Sequence, residues 1–169
     1  MAKKFNFIYP IFIILFLYIP INQSLAQIRY SVNAEYLIPL GDLRNNYISG
    51  VNAGLGLKYI VNEQYDATFN TGYTYVQGKN VEDEYFIYKV RPIAGVPLGL
   101  GLRFKPDNLF FIQASGGPVL VMKPESAFGM HYSAGAGIQY KKIEFQVRLM
   151  QWNRPEIANF AGFQLSFVF

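Results

Sequence analysis

Three side chains in this sequence have the types and spacing of a hydrolytic set: His131, Ser133 and Glu144. A His two residues from a Ser, with a carboxylate downstream, can supply a general base, a nucleophile and a group that orients the base. The same residues also suit a plainer role, as members of a buried polar network in which each charge needs a partner. A larger set is defined by charge. Arg29, Lys58, Lys89, Arg91, Arg103 and Arg148 share a strand parity with Glu35, Asp66 and Glu144, and with the carboxamides of Asn33, Asn70, Gln113, Gln139, Gln146 and Gln164. Both signs are present and cations exceed anions. The chemistry expected is ion pairing, with a hint of contact to an anion or a lipid phosphate.

Other chemistries find little support. There is no Cys, so neither a disulfide framework nor a thiolate metal site is expected. The Gly-x-Gly pairs at 54/56 and 99/101 fall inside strands, where a phosphate-cradling loop is not expected. The charges are scattered singly, and no basic run suggests nucleic acid. No cofactor is implied.

The elements that must position these residues are strands. The last seven residues alternate from Phe163 to Phe169, large and apolar at odd positions, with Val168 the exception among the polar or small even positions. The same alternation recurs upstream. Eight segments carry it: 28–40, 48–60, 65–76, 85–104, 109–121, 130–140, 143–152 and 160–169. Strands of about 10–13 residues suit a tilted membrane span better than a globular sheet, where about 5–6 is usual. The expected connections alternate in length, short after the second, fourth and sixth strands and longer after the others. Short turns on one side and longer loops on the other are the pattern of an outer-membrane barrel. Aromatics gather near strand ends. Tyr59, Tyr65, Phe104, Phe110, Tyr140 and Phe169 are expected at one rim, and Tyr36, Tyr75, Phe86, Trp152 and Phe160 at the other, as two interfacial girdles. The fold expected is all-β, an eight-stranded antiparallel up-and-down transmembrane β-barrel over 27–169.

Residues 1–26 read as a separate segment. Lys3 and Lys4 precede an apolar run, and Ser24 and Ala26 place small residues at a cleavage site before Gln27, the pattern of a secretory signal peptide cleaved after Ala26. Of the 15 Lys and Arg, Lys3 and Lys4 lie in that segment, which leaves 13 against 11 Asp and Glu. The exported chain is therefore nearly balanced in charge.

Architecture and the terminal Phe169 together resemble the small outer-membrane β-barrel family, with OmpX-like and OmpA-transmembrane-domain-like members and the short "porin family" or PorT-type barrels. The resemblance implies location in the cell outer membrane and contact with outer-membrane lipid and lipopolysaccharide. It also implies recognition of Phe169 by the barrel-assembly machinery as an assembly signal. His131, Ser133 and Glu144 resemble the His-x-Ser pair and downstream Glu of the barrel lipid A deacylases. The departures are Ala134, where that family has Asn, and the two full strands that follow the pair. The function expected is non-enzymatic, in envelope integrity or surface interaction with a side-chain-filled lumen. A narrow passage or binding site for a small amphiphile is the first alternative, and a lipid A-modifying hydrolase the second.

One backbone feature also follows. Counting back from the turn at 105–108 sets Pro97 near Gly116 and Pro118 near Gly95. Proline lacks a backbone donor and glycine weakens pairing. The seam between the fourth and fifth strands is therefore expected to be weakly bonded, as a barrel corner or as a lateral weak spot.

Overall fold

The computed structural model describes residues 27–82, 87–153 and 157–169. The expected signal segment, Phe86 of the expected girdle and the 154–156 connection lie outside the described residues. The elements are β1 (Ile28–Leu40), a one-turn helix α1 (Leu43–Asn46), β2 (Tyr47–Ile60), β3 (Tyr65–Gly78), β4 (Asn80–Glu82), β5 (Ile87–Lys89), β6 (Ile93–Phe104), β7 (Phe110–Lys123), β8 (Ala127–Tyr140), β9 (Ile143–Asn153) and β10 (Ile157–Val168). Eight of the strands close a barrel in the order β1-β10-β9-β8-β7-β6-β3-β2, and β4 and β5 form a separate two-stranded hairpin. Every ladder is antiparallel, including the closing one, where Tyr36 pairs with Phe163. A closed sheet has no unpaired edge, so every backbone donor and acceptor can be satisfied within the wall.

Period-two alternation sets which side chains face out. On β1 the odd positions from Ser31 to Pro39 are buried and the even ones are exposed. The outward face is a belt of large apolar side chains, with Leu100 and Leu102 70% and 65% exposed. At one end, here the turn end, the links are 61–64, 105–109 and 141–142. Two of these are built alike. Asn62 Oδ1 accepts the amides of Gln64 and Tyr65 at 2.9 and 2.7 Å, and Asp107 Oδ1 accepts those of Leu109 and Phe110 at 2.7 and 2.6 Å. Such Asx turns are the local reason for Asn and Asp there. The third is a two-residue link that places Lys141 at φ 55°, the left-handed geometry hairpin turns require.

The opposite, loop end departs from the expected pattern in two ways. The expected strand 85–104 is broken: Pro92 removes a ladder donor, β6 begins only at Ile93, and the preceding residues form β5 of the projecting hairpin. The expected alternation of connection lengths also fails at this end. β7 runs on to Lys123 and β8 starts at Ala127, so their link is as short as the turns.

The inner face has two halves. Toward the loop end it is apolar: Leu37, Val76, Ile93, Val119, Val121, Met150, Trp152, Ala158 and Phe160 form one buried cluster, with Leu43 of α1 and Tyr47 packed against it. Trp152 and Phe160 therefore do not belong to an outer girdle. Both have inward parity, and their rings meet edge-on at 5.8 Å between centroids. The Trp152 indole N–H points to Met150 Sδ at 3.2 Å. Gly95 makes room for it, since a Cβ there would come within 3.1 Å of the indole ring. Toward the turn end the inner face is polar and charged.

Candidate functional site

The charged side chains that alternation directs inward meet in three groups. The first surrounds Glu144, on the second residue of β9. Arg103 of β6 forks onto it, Nη1 to Oε1 at 2.9 Å and Nη2 to Oε2 at 3.1 Å. Lys58 Nζ of β2 bonds to the same Oε1. Gln113 Oε1 accepts from Arg103 Nε and Nη2 at 3.1 and 3.0 Å, and the guanidinium lies 3.9 Å from the Phe111 ring centroid. One carboxylate thus serves two cations, and stacking on an aromatic face holds the guanidinium plane. The second group pairs Lys105 Nζ with Asp66 Oδ1 at 2.7 Å. The third lies higher in the lumen. Arg148 Nε and Nη2 reach Glu35 Oε1 and Oε2 at 2.6 and 2.5 Å. This fork passes over Gly162 of β10, where a Cβ would run into Glu35 Oε1.

Of the expected lumen set, the structure brings together Glu35, Lys58, Asp66, Arg103, Glu144 and Arg148. Arg29 has inward parity but is exposed at the turn-end mouth. Lys89 and Arg91 depart from expectation: both are exposed, Lys89 on the β4–β5 hairpin and Arg91 before β6 begins, because Pro92 ends the strand that was expected to carry them inward. Phe111, Gly162 and Lys105 are participants the alternation did not single out. Lys105 lies in a turn, and its role follows only from the strand opposite.

The three hydrolytic candidates are not assembled. The 141–142 turn pairs Glu144 with Gln139. From Gln139 back to His131 along β8 is roughly 27 Å at ~3.4 Å per residue. Each candidate has another partner. Ser133 Oγ lies 2.8 Å from Ser115 Oγ, and His131 Nδ1 lies 3.2 Å from the Gly117 carbonyl oxygen. The imidazole sits over Gly99, where a Cβ would be 3.0 Å from Nε2. Among the described residues no cluster of His, Asp and Glu suits a metal ion.

His131 also borders the weak stretch of the wall. The β6–β7 register pairs Pro97 with Val119, Leu100 with Gly116 and Gly95 with Val121, three residues from the expected alignment. The shift follows from the first pair of this ladder, Phe104 with Ile112, which leaves seven residues, 105–111, between the partners where a turn at 105–108 leaves four. No pair joins Leu98 and Gly99 to Gly117 and Pro118, and on the other side of β6 the ladder with β3 jumps from Thr71–Leu98 to Thr74–Gly95. Beside this gap His131 is the register partner of Gly117 on the β8 side, and its ring reaches the Gly117 carbonyl.

At the turn end, Phe169 donates its amide to the Tyr30 carbonyl at 2.9 Å and packs its ring against Phe167 at 5.1 Å. On the outward face, Ala34 and Ala53 floor a groove of about 670 Å³ edged by Tyr36, Tyr73, Tyr75 and Phe163.

No family model matches this sequence, and no curated protein matches it. Solved structures do match in shape. The outer membrane protein Ail of Yersinia pestis in a phospholipid bilayer nanodisc superposes with a TM-score of 0.60 at 10% identity, over 83% of this chain and 99% of that one. The outer membrane enzyme PagL superposes at 0.54 and 15% identity, over 81% and 98%. A de novo designed transmembrane β-barrel superposes at 0.52 and 12% identity, over 84% and 94%. At these identities the likeness is one of fold, and it extends to nearly the whole of each neighbour. With a closed eight-stranded antiparallel wall, an apolar outward belt and a filled interior, the chain has the fold of the small outer-membrane β-barrels.

Proposed function

We propose that this chain is a non-enzymatic barrel of the cell outer membrane, with a closed lumen and a role in envelope integrity or at the cell surface. The carrying observation is the two-part filling of the interior. The hydrophobic cluster around Trp152 occupies the loop half, and the ion pairs of Glu144 and Glu35 cross the turn half. An eight-stranded barrel is just wide enough for its own side chains, and among the described residues the cluster around Trp152 packs across the apolar half. The fold shared with Ail supports a membrane setting.

In this reading residues 1–26 direct export, the turn end faces the periplasm and the loop end faces outward. The apolar belt contacts outer-membrane lipid and lipopolysaccharide, and the alanine-floored groove beside Tyr36 takes an acyl chain. The assembly machinery reads Phe169. The separation of His131 from Glu144 favours the polar-network role of both over a hydrolytic one.

Planar-bilayer recording on the purified barrel tests the proposal. A closed lumen gives no stepwise conductance. Reproducible single-channel steps would overturn it in favour of a passage.

A further inference from the structure

We propose that the turn-end mouth of the lumen binds one small dianionic oxyanion of the phosphate class. Two independent observations lead there. The first is a like-charge pair in register: Arg29 of β1 stands directly opposite Lys58 of β2, both with inward parity. Like charges directly opposed across strands repel. Lys58 is satisfied by Glu144, whereas among the described residues no carboxylate lies within ion-pair distance of Arg29.

The second is a cavity of about 130 Å³ beside that pair, lined by Arg29, Lys58 and Lys105, by Asp66 and Glu144, and by Gln139. At ~30 Å³ per water this is room for about four waters, or for one tetrahedral oxyanion. Lys58, Asp66 and Glu144 are all more than nine-tenths buried.

The charges give the valence. With Arg103 behind Glu144, the group holds four cations and two carboxylates, an excess that one dianion balances. The carboxylates do not repel such a guest unopposed: Glu144 already accepts from Lys58 and Arg103, and Asp66 from Lys105. The guest would take the Arg29 guanidinium fork, the geometry that suits phosphate, with Lys105 and the Gln139 carboxamide as further donors. The site also gives Val168 a place: the apolar residue on the inner face of β10 forms part of this cavity's wall.

The test uses the refolded barrel in maltoside micelles, which carry no phosphate headgroup. Sodium phosphate is titrated against sodium chloride at matched ionic strength and followed by amide shifts and calorimetry. Saturable one-site binding of phosphate, with shifts at Arg29, Lys58 and Gln139, is expected. Arg29→Gln should weaken it at least tenfold. That residue sits exposed at the mouth without a partner, so the variant should fold, as a heat-modifiable gel band would verify. Lys89→Gln, an exposed cation on the distant hairpin, serves as control. Glycerol 3-phosphate in a second arm distinguishes the source: binding equal to inorganic phosphate assigns a headgroup-borne phosphate, and rejection assigns the free ion. Linear shifts without saturation, acetate binding as tightly as phosphate, or equal weakening in the Lys89 variant would each overturn the site.

Discussion

Arg103 and Glu144 are joined across the lumen by a two-point fork, from β6 to β9 with two strands of wall between them, and Lys58 completes the bridge from β2. Both ends of the fork are nearly fully buried. Removing one member of such a group costs more than the group contributes net, because it strands the others in a poorly solvated place. Glu144→Gln leaves two buried cations and should cost about 3–5 kcal/mol in a urea refolding titration. Replacing Lys58, Arg103 and Glu144 together with Met, Leu and Gln should recover most of that loss. Equal stability of Glu144→Gln and the parent would show that the lumen is hydrated enough for the bridge not to matter.

Trp152 is the single Trp of the chain and is wholly buried inside the barrel. Its fluorescence therefore reports the lumen directly. Brominated lipids should quench it only slightly in reconstituted vesicles, and aqueous acrylamide should also be weak. Strong quenching by bromines at the interface would return it to the outer girdle. Trp152→Ala should destabilise the barrel by about 3–5 kcal/mol, the usual range for emptying a packed aromatic site, well above the cost of Leu100→Ala on the lipid face.

These two sites also mark what can be read from sequence alone. Parity is a local property of the chain, so alternation is enough to direct Glu144, Arg103 and Lys58 inward and to give the number of barrel strands. Trp152 has the same parity as Glu144 and Arg148. It was expected at a girdle because aromatics near strand ends favour interfaces, a preference of residue type that the apolar loop half of the lumen overrides. Partners across the lumen depend on strand stagger, which no local pattern carries, so the pairing of Arg148 with Glu35 could not be named in advance. Hairpin register was within reach in one case: a two-residue turn at 141–142 already implies that Glu144 lies beside Gln139, far from His131. The 105–108 turn signal does not carry its register: Asp107 holds the amides of Leu109 and Phe110, and the first β6–β7 pair is Phe104 with Ile112, three residues on from a four-residue turn.

His131 gives a prediction that separates structure from chemistry. Its Nδ1 lies 3.2 Å from the carbonyl oxygen of Gly117, its own register partner on β7, beside the gap in the β6–β7 ladder. His131→Ala removes this side-chain contact while the backbone pair stays, and should cost about 0.5–1.5 kcal/mol, the net worth of one hydrogen bond. Lipid A from a strain carrying this variant should have the parent's acylation pattern by mass spectrometry. An added acyl chain in the variant would revive the hydrolytic reading.

The interrupted ladders on either side of β6 should be visible as local opening. Amides at Gly72 and Leu98, the positions opposite Pro97 and Pro118 at the two gaps, should exchange faster in micelles than Ala34 and Leu55, which sit in the unbroken β1–β2 ladder. Pro97→Ala restores a donor at the gap with β3 and should slow exchange on that side while leaving the β7 side fast. Uniformly slow exchange along β6 would mean that the wall is continuous there despite its prolines.

Phe169 has two roles that an experiment can part. In the folded barrel it contributes one backbone bond to Tyr30 and one ring contact with Phe167, and its side chain remains 64% exposed. Losing these contacts at a strand end should cost little, on the order of 1 kcal/mol for a single hydrogen bond. The assembly role proposed for it acts before folding and depends on an aromatic terminus being recognised. Deleting Phe169 should therefore leave urea stability of the refolded protein within about 1–2 kcal/mol of the parent, while lowering the amount that reaches the outer membrane of cells severalfold. A terminal Phe169→Tyr chain should insert normally, because the ring is kept. If the deleted chain inserts as well as the parent, the aromatic end serves only to close the seam between β1 and β10.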